Sequence, residues 1–115
     1  MSYVEIARTG ELKDGGKKKV TAQGQEIMLA RVGEKYYAVQ NRCAHLGGDL
    51  SAGKLEGTII TCPRHGSQFD ITDGHNVRWM RGAGFAAALG KIVKSPRPIR
   101  AYKVKVAGDI ISVEV

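Results

Sequence analysis

Cys43-Ala44-His45-Leu46-Gly47-Gly48 and Cys62-Pro63-Arg64-His65-Gly66-Ser67-Gln68-Phe69-Asp70 are the two stretches that decide this chain. Their skeletons are C-x-H and C-x-x-H, with sixteen residues between them, and each sets a thiol beside an imidazole. They hold both cysteines of the chain and two of its three histidines. Thiolate and imidazole together are the ligand types of zinc, copper and iron centres. A single tetrahedral zinc would accept two of each. Zinc-finger spacing usually keeps a cysteine pair apart from a histidine pair, whereas here each stretch supplies one of each. That arrangement suits a centre of two metal atoms, with one ligand from each stretch going to each atom. A disulfide between Cys43 and Cys62 is a third reading; the histidine two or three residues beyond each cysteine favours metal.

At 115 residues the chain has the size of one domain and can bury a modest core without disulfides. Its 43% hydrophobic and 25% charged residues fit an ordinary globular protein. No apolar run approaches the roughly 18 residues of a membrane span. The start, Met1-Ser2-Tyr3-Val4-Glu5, lacks the basic and apolar regions of a secretory signal, so the cytoplasm is the expected compartment. The net charge of +7 is uneven. No acidic residue lies between Asp73 and Asp109, a window holding Arg78, Arg81, Lys91, Lys94, Arg97, Arg100, Lys103 and Lys105. Lys17-Lys18-Lys19 forms a second cluster. Such a balance favours acidic partners, or is simply a solvated face. Nucleic acid is not expected, because the few aromatics do not interleave with the basic residues.

The punctuation is that of an all-β protein: frequent glycine and short apolar segments. Strands are expected at 3–7, 19–22, 26–32, 35–40, 57–61 and 69–71, with turns at Gln23-Gly24, Gly33-Glu34 and Asp73-Gly74. Tyr102-Lys103-Val104-Lys105-Val106 and Ile111-Ser112-Val113-Glu114-Val115 alternate around Ala107-Gly108-Asp109 and predict an antiparallel hairpin. One segment departs. Phe85, Leu89, Ile92 and Val93 share a helical face, so a short helical insertion is expected near 84–94, ended by Ser95-Pro96. It packs on the sheet or, with Lys91 and Lys94 flanking it, docks a partner or a membrane headgroup. Gly82-Ala83-Gly84 and Gly90-Lys91-Ile92 fail the dinucleotide and phosphate-loop spacings. His75, beyond both stretches, is expected as an exposed turn residue.

The flanks of the four ligands carry more. C-x-H-x-G-G, the intervening length, C-P-x-H-G-S and the following F-D resemble the two cluster loops of the Rieske iron–sulfur family. The resemblance implies a small antiparallel β sandwich or barrel over residues 1–115, with cluster loops at about 41–50 and 60–70. It also implies one [2Fe-2S] cluster, with Cys43 and Cys62 on one iron and His45 and His65 on the other. Gly47, Gly48 and Gly66 would let backbone N–H groups approach the sulfurs, and Ser67 would add a hydroxyl donor. Pro96 and Pro98 match the covering loop of this family, or simply stop the helix. Two ferric ions, two sulfides and two thiolates sum to zero charge, so adding an electron costs less than at an all-cysteine cluster.

Departures from the quinol-oxidising branch sharpen the expectation. Its members carry a second cysteine in each loop, where this chain has Gly48 and Arg64, and a tyrosine where Phe69 stands. The pattern resembles the soluble ferredoxins, with a potential in the lower or middle part of the roughly −150 to +300 mV Rieske range. The expected function is one-electron transfer from a reductase to a terminal oxygenase or similar acceptor. No catalytic residue is expected. A small subunit resembling that of cytosolic nitrite reductase, and a non-redox zinc module, are the alternatives. Soluble ferredoxins are often acidic; this chain is basic, so its partner is expected to present an acidic docking face.

Overall fold

A computed structural model describes residues 2–43, 48–63, 66–78 and 98–115. The helix expected near 84–94 and Pro96 lie outside the described residues. Within them the chain is built almost wholly of antiparallel strands: β1 Tyr3–Arg8, β2 Lys17–Ala22, β3 Gln25–Val32, β4 Lys35–Gln40, β5 Lys54–Glu56, β6 Ile59–Thr61, β7 Gln68–Asp70, β8 Asn76–Arg78, β9 Ala101–Tyr102, β10 Val104–Ala107 and β11 Ile110–Glu114. They form three sheets, ordered β1-β11-β10, β2-β3-β4-β9 and β5-β6-β7-β8. The two helical elements described are single 3-10 turns at Thr9–Glu11 and Leu50–Ala52. No described helix is long and apolar enough to cross a membrane.

Local chemistry sets the hairpins. β2 and β3 are joined by Gln23 and Gly24 at φ 49° and 78°, the doubly positive pattern of a type I′ turn. Three further two-residue loops place glycine first: Gly33 at φ 64°, Gly57 at 59° and Gly108 at 62°. A positive φ at the first central position matches the right-handed twist of the flanking strands. β1 carries a bulge at Ile6, so Ile6 and the adjacent Ala7 are both half-buried rather than alternating.

β3 explains the layering. Ile27, Met28, Leu29 and Ala30 are all fully buried, which a strand achieves only when both of its faces are covered. Ile27 and Leu29 join a core with Ala38, Tyr102, Ile111 and Val113. Met28 and Ala30 point the other way, into a core with Val39, Leu50, Ile60, Phe69, Ile71 and Ile99. The middle sheet is therefore covered on one face by the β1-β11-β10 sheet and on the other by β5–β8 with its loops.

Two strand expectations are corrected. Residues 57–61 are not one strand: Gly57 and Thr58 form the turn between β5 and β6. Thr58 and the Ile-Ile-Thr run mimic strand composition, but the positive φ of Gly57 reverses the chain. Residues 102–106 are also split. Tyr102 pairs with Ala38 of β4, while Val104–Ala107 pair with β11, so the chain changes sheets at Lys103. The expected apolar face does not hold across that step, and Val106 remains 47% exposed. β11 behaves as expected, with Ile111 and Val113 fully buried.

Candidate metal centre

Cys43 lies just beyond the end of β4 and Cys62 directly follows β6. The Cys43 N–H donates to the Gly48 carbonyl at 2.7 Å, and the Cys62 N–H donates to the Ser67 carbonyl, also at 2.7 Å. Each bond closes a loop of the same length, from the cysteine to the fifth residue after it. Beneath each closure sits an antiparallel pair, Arg42 with Asp49 and Thr61 with Gln68. The two cysteines of the sequence thus each open a loop that is closed in the same way. In the second, the Gly66 N–H also donates to the Cys62 carbonyl at 3.1 Å, with Gly66 at φ 75°. That conformation strains any residue with a Cβ, which accounts for glycine there.

Cys43 and Cys62 are 3% and 1% exposed and belong to the same apolar core, alongside Met28, Leu50, Ile60 and Phe69. No disulfide joins them. Two thiols held together in a dry core fit the donor set of a thiophilic metal, the cysteine half of a cluster site. Ser67 is fully buried at the end of the second loop, and Phe69 fills the core behind it. Cys43, Gly48, Cys62, Gly66 and Ser67 therefore fall in one pair of loops. His45, Gly47, Arg64 and His65 lie outside the described residues.

The loops are tied down by residues that the sequence does not advertise. Asn41 is 1% exposed, two positions before Cys43. Its Nδ2 donates to Asp49 Oδ1 at 2.8 Å, and its Oδ1 accepts the Ser51 N–H at 2.9 Å. Its own N–H reaches the Glu26 carbonyl, and its carbonyl accepts the Leu50 N–H. Asp49 also accepts from the Ser51 hydroxyl at 2.6 Å. The Ser51 hydroxyl and the Asn41 amide hold the Asp49 carboxyl below its usual range, against the effect of burial. The only sequence signal was Asp49-Leu50-Ser51, a capping turn in which Asp49 accepts the Ser51 N–H. Gly53 links this base to the other loop. A Cβ there would meet the Thr61 carbonyl oxygen at 2.0 Å. In the second loop, Gln68 Nε2 donates to Thr61 Oγ1 at 3.1 Å, and Asn76 Nδ2 donates to the Gln68 carbonyl at 3.1 Å.

The residues set aside in the sequence take ordinary places. His75 is exposed just past the β7–β8 turn, its Nδ1 2.6 Å from Asp73 Oδ1. Lys18 pairs with Glu11 at 2.5 Å, and Lys19 lies 3.9 Å from both Glu26 and Asp49, so the Lys17–Lys19 cluster is largely answered within the chain. In the basic window, Arg100 stacks over the Tyr102 ring at 4.6 Å and Lys105 lies 5.7 Å from the Tyr3 ring. Pro98 is exposed, and Ile99 beside it returns to the cysteine core, its N–H bonded to the Gly74 carbonyl.

Known proteins share this construction. The ferredoxin component of the naphthalene 1,2-dioxygenase system of Pseudomonas putida is 34% identical over 74 residues, covering 64% of this chain and 71% of that protein. The ferredoxin component of biphenyl 2,3-dioxygenase from Rhodococcus jostii is 28% identical over 115 residues, covering all of this chain and 94% of that one. Among solved structures, the ferredoxin of carbazole 1,9a-dioxygenase from Nocardioides aromaticivorans superposes with a TM-score of 0.81 at 29% identity, over 98% of this chain and 97% of the other. Residues 2–102, which include both cysteine loops, match the Rieske [2Fe-2S] domain, and the chain belongs to that family.

Proposed function

We propose that this chain is a one-electron carrier holding one [2Fe-2S] cluster, with Cys43 and Cys62 on one iron and His45 and His65 on the other. The observation that carries this reading is the matched pair of loops, each opening on a buried cysteine, with both thiols in one dry core. When bound, the cluster supplies a single-electron couple. The chain's own residues shape its surroundings. Met28, Leu50, Ile60, Phe69 and Ile71 exclude water from the thiolate side and lower the local dielectric. Gly47, Gly48 and Gly66 would admit backbone N–H groups to the sulfurs, and the buried Ser67 would donate its hydroxyl. These donors stabilise the more negative, reduced state. His45 and His65, as ligands of the second iron, would each keep one ring nitrogen free to carry a proton.

In this reading, residues 1–115 form a single domain with cluster loops at about 41–50 and 60–70. It works in the cytoplasm, taking electrons from a reductase and passing them to a terminal oxygenase whose docking face is acidic. The named ferredoxin components that it resembles along its full length support this over an accessory subunit. The test is spectroscopic. The purified protein should be coloured in the visible, and a rhombic EPR signal should appear on reduction. It should then pass electrons from a flavin reductase to a Rieske oxygenase. A colourless protein holding one tightly bound zinc would overturn the proposal.

A further inference from the structure

We infer that Asn41 is a positioning residue: through Asp49, Ser51 and Gly53 it fixes the first cysteine loop against the second, setting the placement of Cys43 relative to Cys62 before metal arrives. The inference rests on the cluster site proposed above.

The two loops correspond in register through their equivalent closures and base pairs: residues 41, 42, 43, 48 and 49 of the first match 60, 61, 62, 67 and 68 of the second. At the position two before the cysteine, the second loop has Ile60, fully buried in apolar contacts. The first loop has Asn41, equally buried. Burying an amide where an aliphatic side chain also fits is unfavourable unless its hydrogen bonds are met, and packing alone gives no reason for it. Here both ends of the amide are met, and both by the far side of the loop: Nδ2 by Asp49 and Oδ1 by the Ser51 N–H. The Leu50 N–H closes a further bond onto the Asn41 carbonyl. The loop is thereby clamped at its neck, below the Cys43 to Gly48 closure.

The clamp also has a seat. Ser51 lies in the 3-10 turn Leu50–Ala52, and the next residue, Gly53, rests directly on the carbonyl of Thr61, the residue before Cys62. The path from Asn41 to the second cysteine thus runs through hydrogen bonds, one short turn and one backbone contact. Beyond the buried Asn41 amide, which bonds the Ser51 N–H directly, that path is backbone. The second loop, with Ile60 and Gln68 at the equivalent places, has no buried amide of this kind and leans on the first through Gly53.

The experiment compares Asn41→Ala, Asp49→Ala and their double variant with Val113→Ala, which weakens the opposite core and touches neither loop. Readouts are the EPR line shape of the reduced protein and the rate at which a chelator bleaches the visible absorption, under conditions where circular dichroism shows each variant folded. Both clamp variants should release the cluster faster, by about 10- to 100-fold, the range for lost outer-shell support. They should also broaden the EPR signal, and Val113→Ala should match the parent in both. The double variant should release more slowly than the product of the two single effects predicts, since both singles break the shared Asn41–Asp49 bond. If Asn41→Ala does not fold, the half-exposed Asp49→Ala carries the test. Release and line shape no different from Val113→Ala would overturn the inference, as would effects that multiply in the double variant. A parent protein lacking the colour and the EPR signal would instead defeat the cluster reading itself.

Discussion

Ser67 and Phe69 are both fully buried in the second loop and the strand that follows it, and they differ in what they offer a metal-bound sulfur. Ser67 has a hydroxyl to donate; Phe69 has none. A donor stabilises the reduced state because that state carries the extra negative charge on its sulfurs. A hydrogen bond to a charged acceptor contributes about 1.5–3 kcal/mol. At about 59 mV per tenfold for one electron, that is of order 60–120 mV. Ser67→Ala should lower the midpoint potential by up to that amount, and Phe69→Tyr should raise it. A redox titration followed by EPR reads both, and potentials that do not move would refute this account of tuning. Cys43 and Cys62 stood out in the sequence by residue type and spacing, and Gly66 and Ser67 through the family resemblance of their flanks; the structure places all four in the paired loops. Asn41 was not legible. Its importance comes from being buried and from meeting Asp49 and Ser51, and neither property has a pattern in one sequence.

Gly53 shows how one short element transmits position. A Cβ would lie 2.0 Å from the Thr61 carbonyl oxygen, and its nearest neighbours are all backbone atoms of Thr61 and Leu50, which cannot swing aside as a side chain could. Gly53→Ala should therefore cost about 1–3 kcal/mol or more by overpacking. Gly10→Ala, where nothing lies within 4 Å, should stay within about 0.5 kcal/mol of the parent. Urea unfolding separates the two, and equal midpoints would show that the turn gives way freely. The β7–β8 connection makes a different prediction. Burial raises the Asp70 carboxyl, but the Thr72 hydroxyl and N–H, the His75 charge and the Thr58 hydroxyl together bring it below its ordinary value. The His75 N–H and ring do the same for the exposed Asp73. A carboxyl whose folded pKa lies below its unfolded value, about 3.9, contributes stability above that value and loses it as pH falls through the folded one. Stability should thus decline from about pH 5 downward, and Asp70→Asn should flatten the decline. Parallel pH profiles for variant and parent would exclude Asp70 as a contributor. At this scale the β3–β4 and β10–β11 hairpins and the alternation of β11 were readable from sequence, whereas the Gly57-Thr58 turn was hidden by the strand-like composition around it. The three-residue β5 and β8 and the two-residue β9 were not, because so few residues express no period.

Across the whole molecule, the middle sheet separates two cores, and only one of them holds the cysteines. The chain's surplus of positive charge is likewise not spread evenly. Lys18 and Lys19 face Glu11, Glu26 and Asp49, and Arg8 pairs with Asp109 at 3.1 Å, so these cations are largely offset at short range. The window between Asp73 and Asp109 has no acidic residue within it. There Arg100 and Lys105 lie over aromatic rings, which leaves their charge in the field outside. A net charge of +7, with its basic residues clustered along the sequence in this way, would steer an acidic partner over distances comparable with the Debye length. That length is about 30 Å at 0.01 M salt and about 10 Å at 0.1 M, so steering should fade across this range. The second-order rate constant for electron transfer to the oxygenase should fall roughly tenfold or more as salt rises, measured by stopped-flow absorption. Lys103→Glu combined with Lys105→Glu should slow the reaction at low salt and flatten its salt dependence. Lys103 lies just before β10 and Lys105 within it, both exposed and away from the cysteine core, so the visible spectrum should not change. A rate that is flat in salt for the parent, or unmoved by the double reversal, would mean that this face is only solvated and that docking is governed by the loops alone.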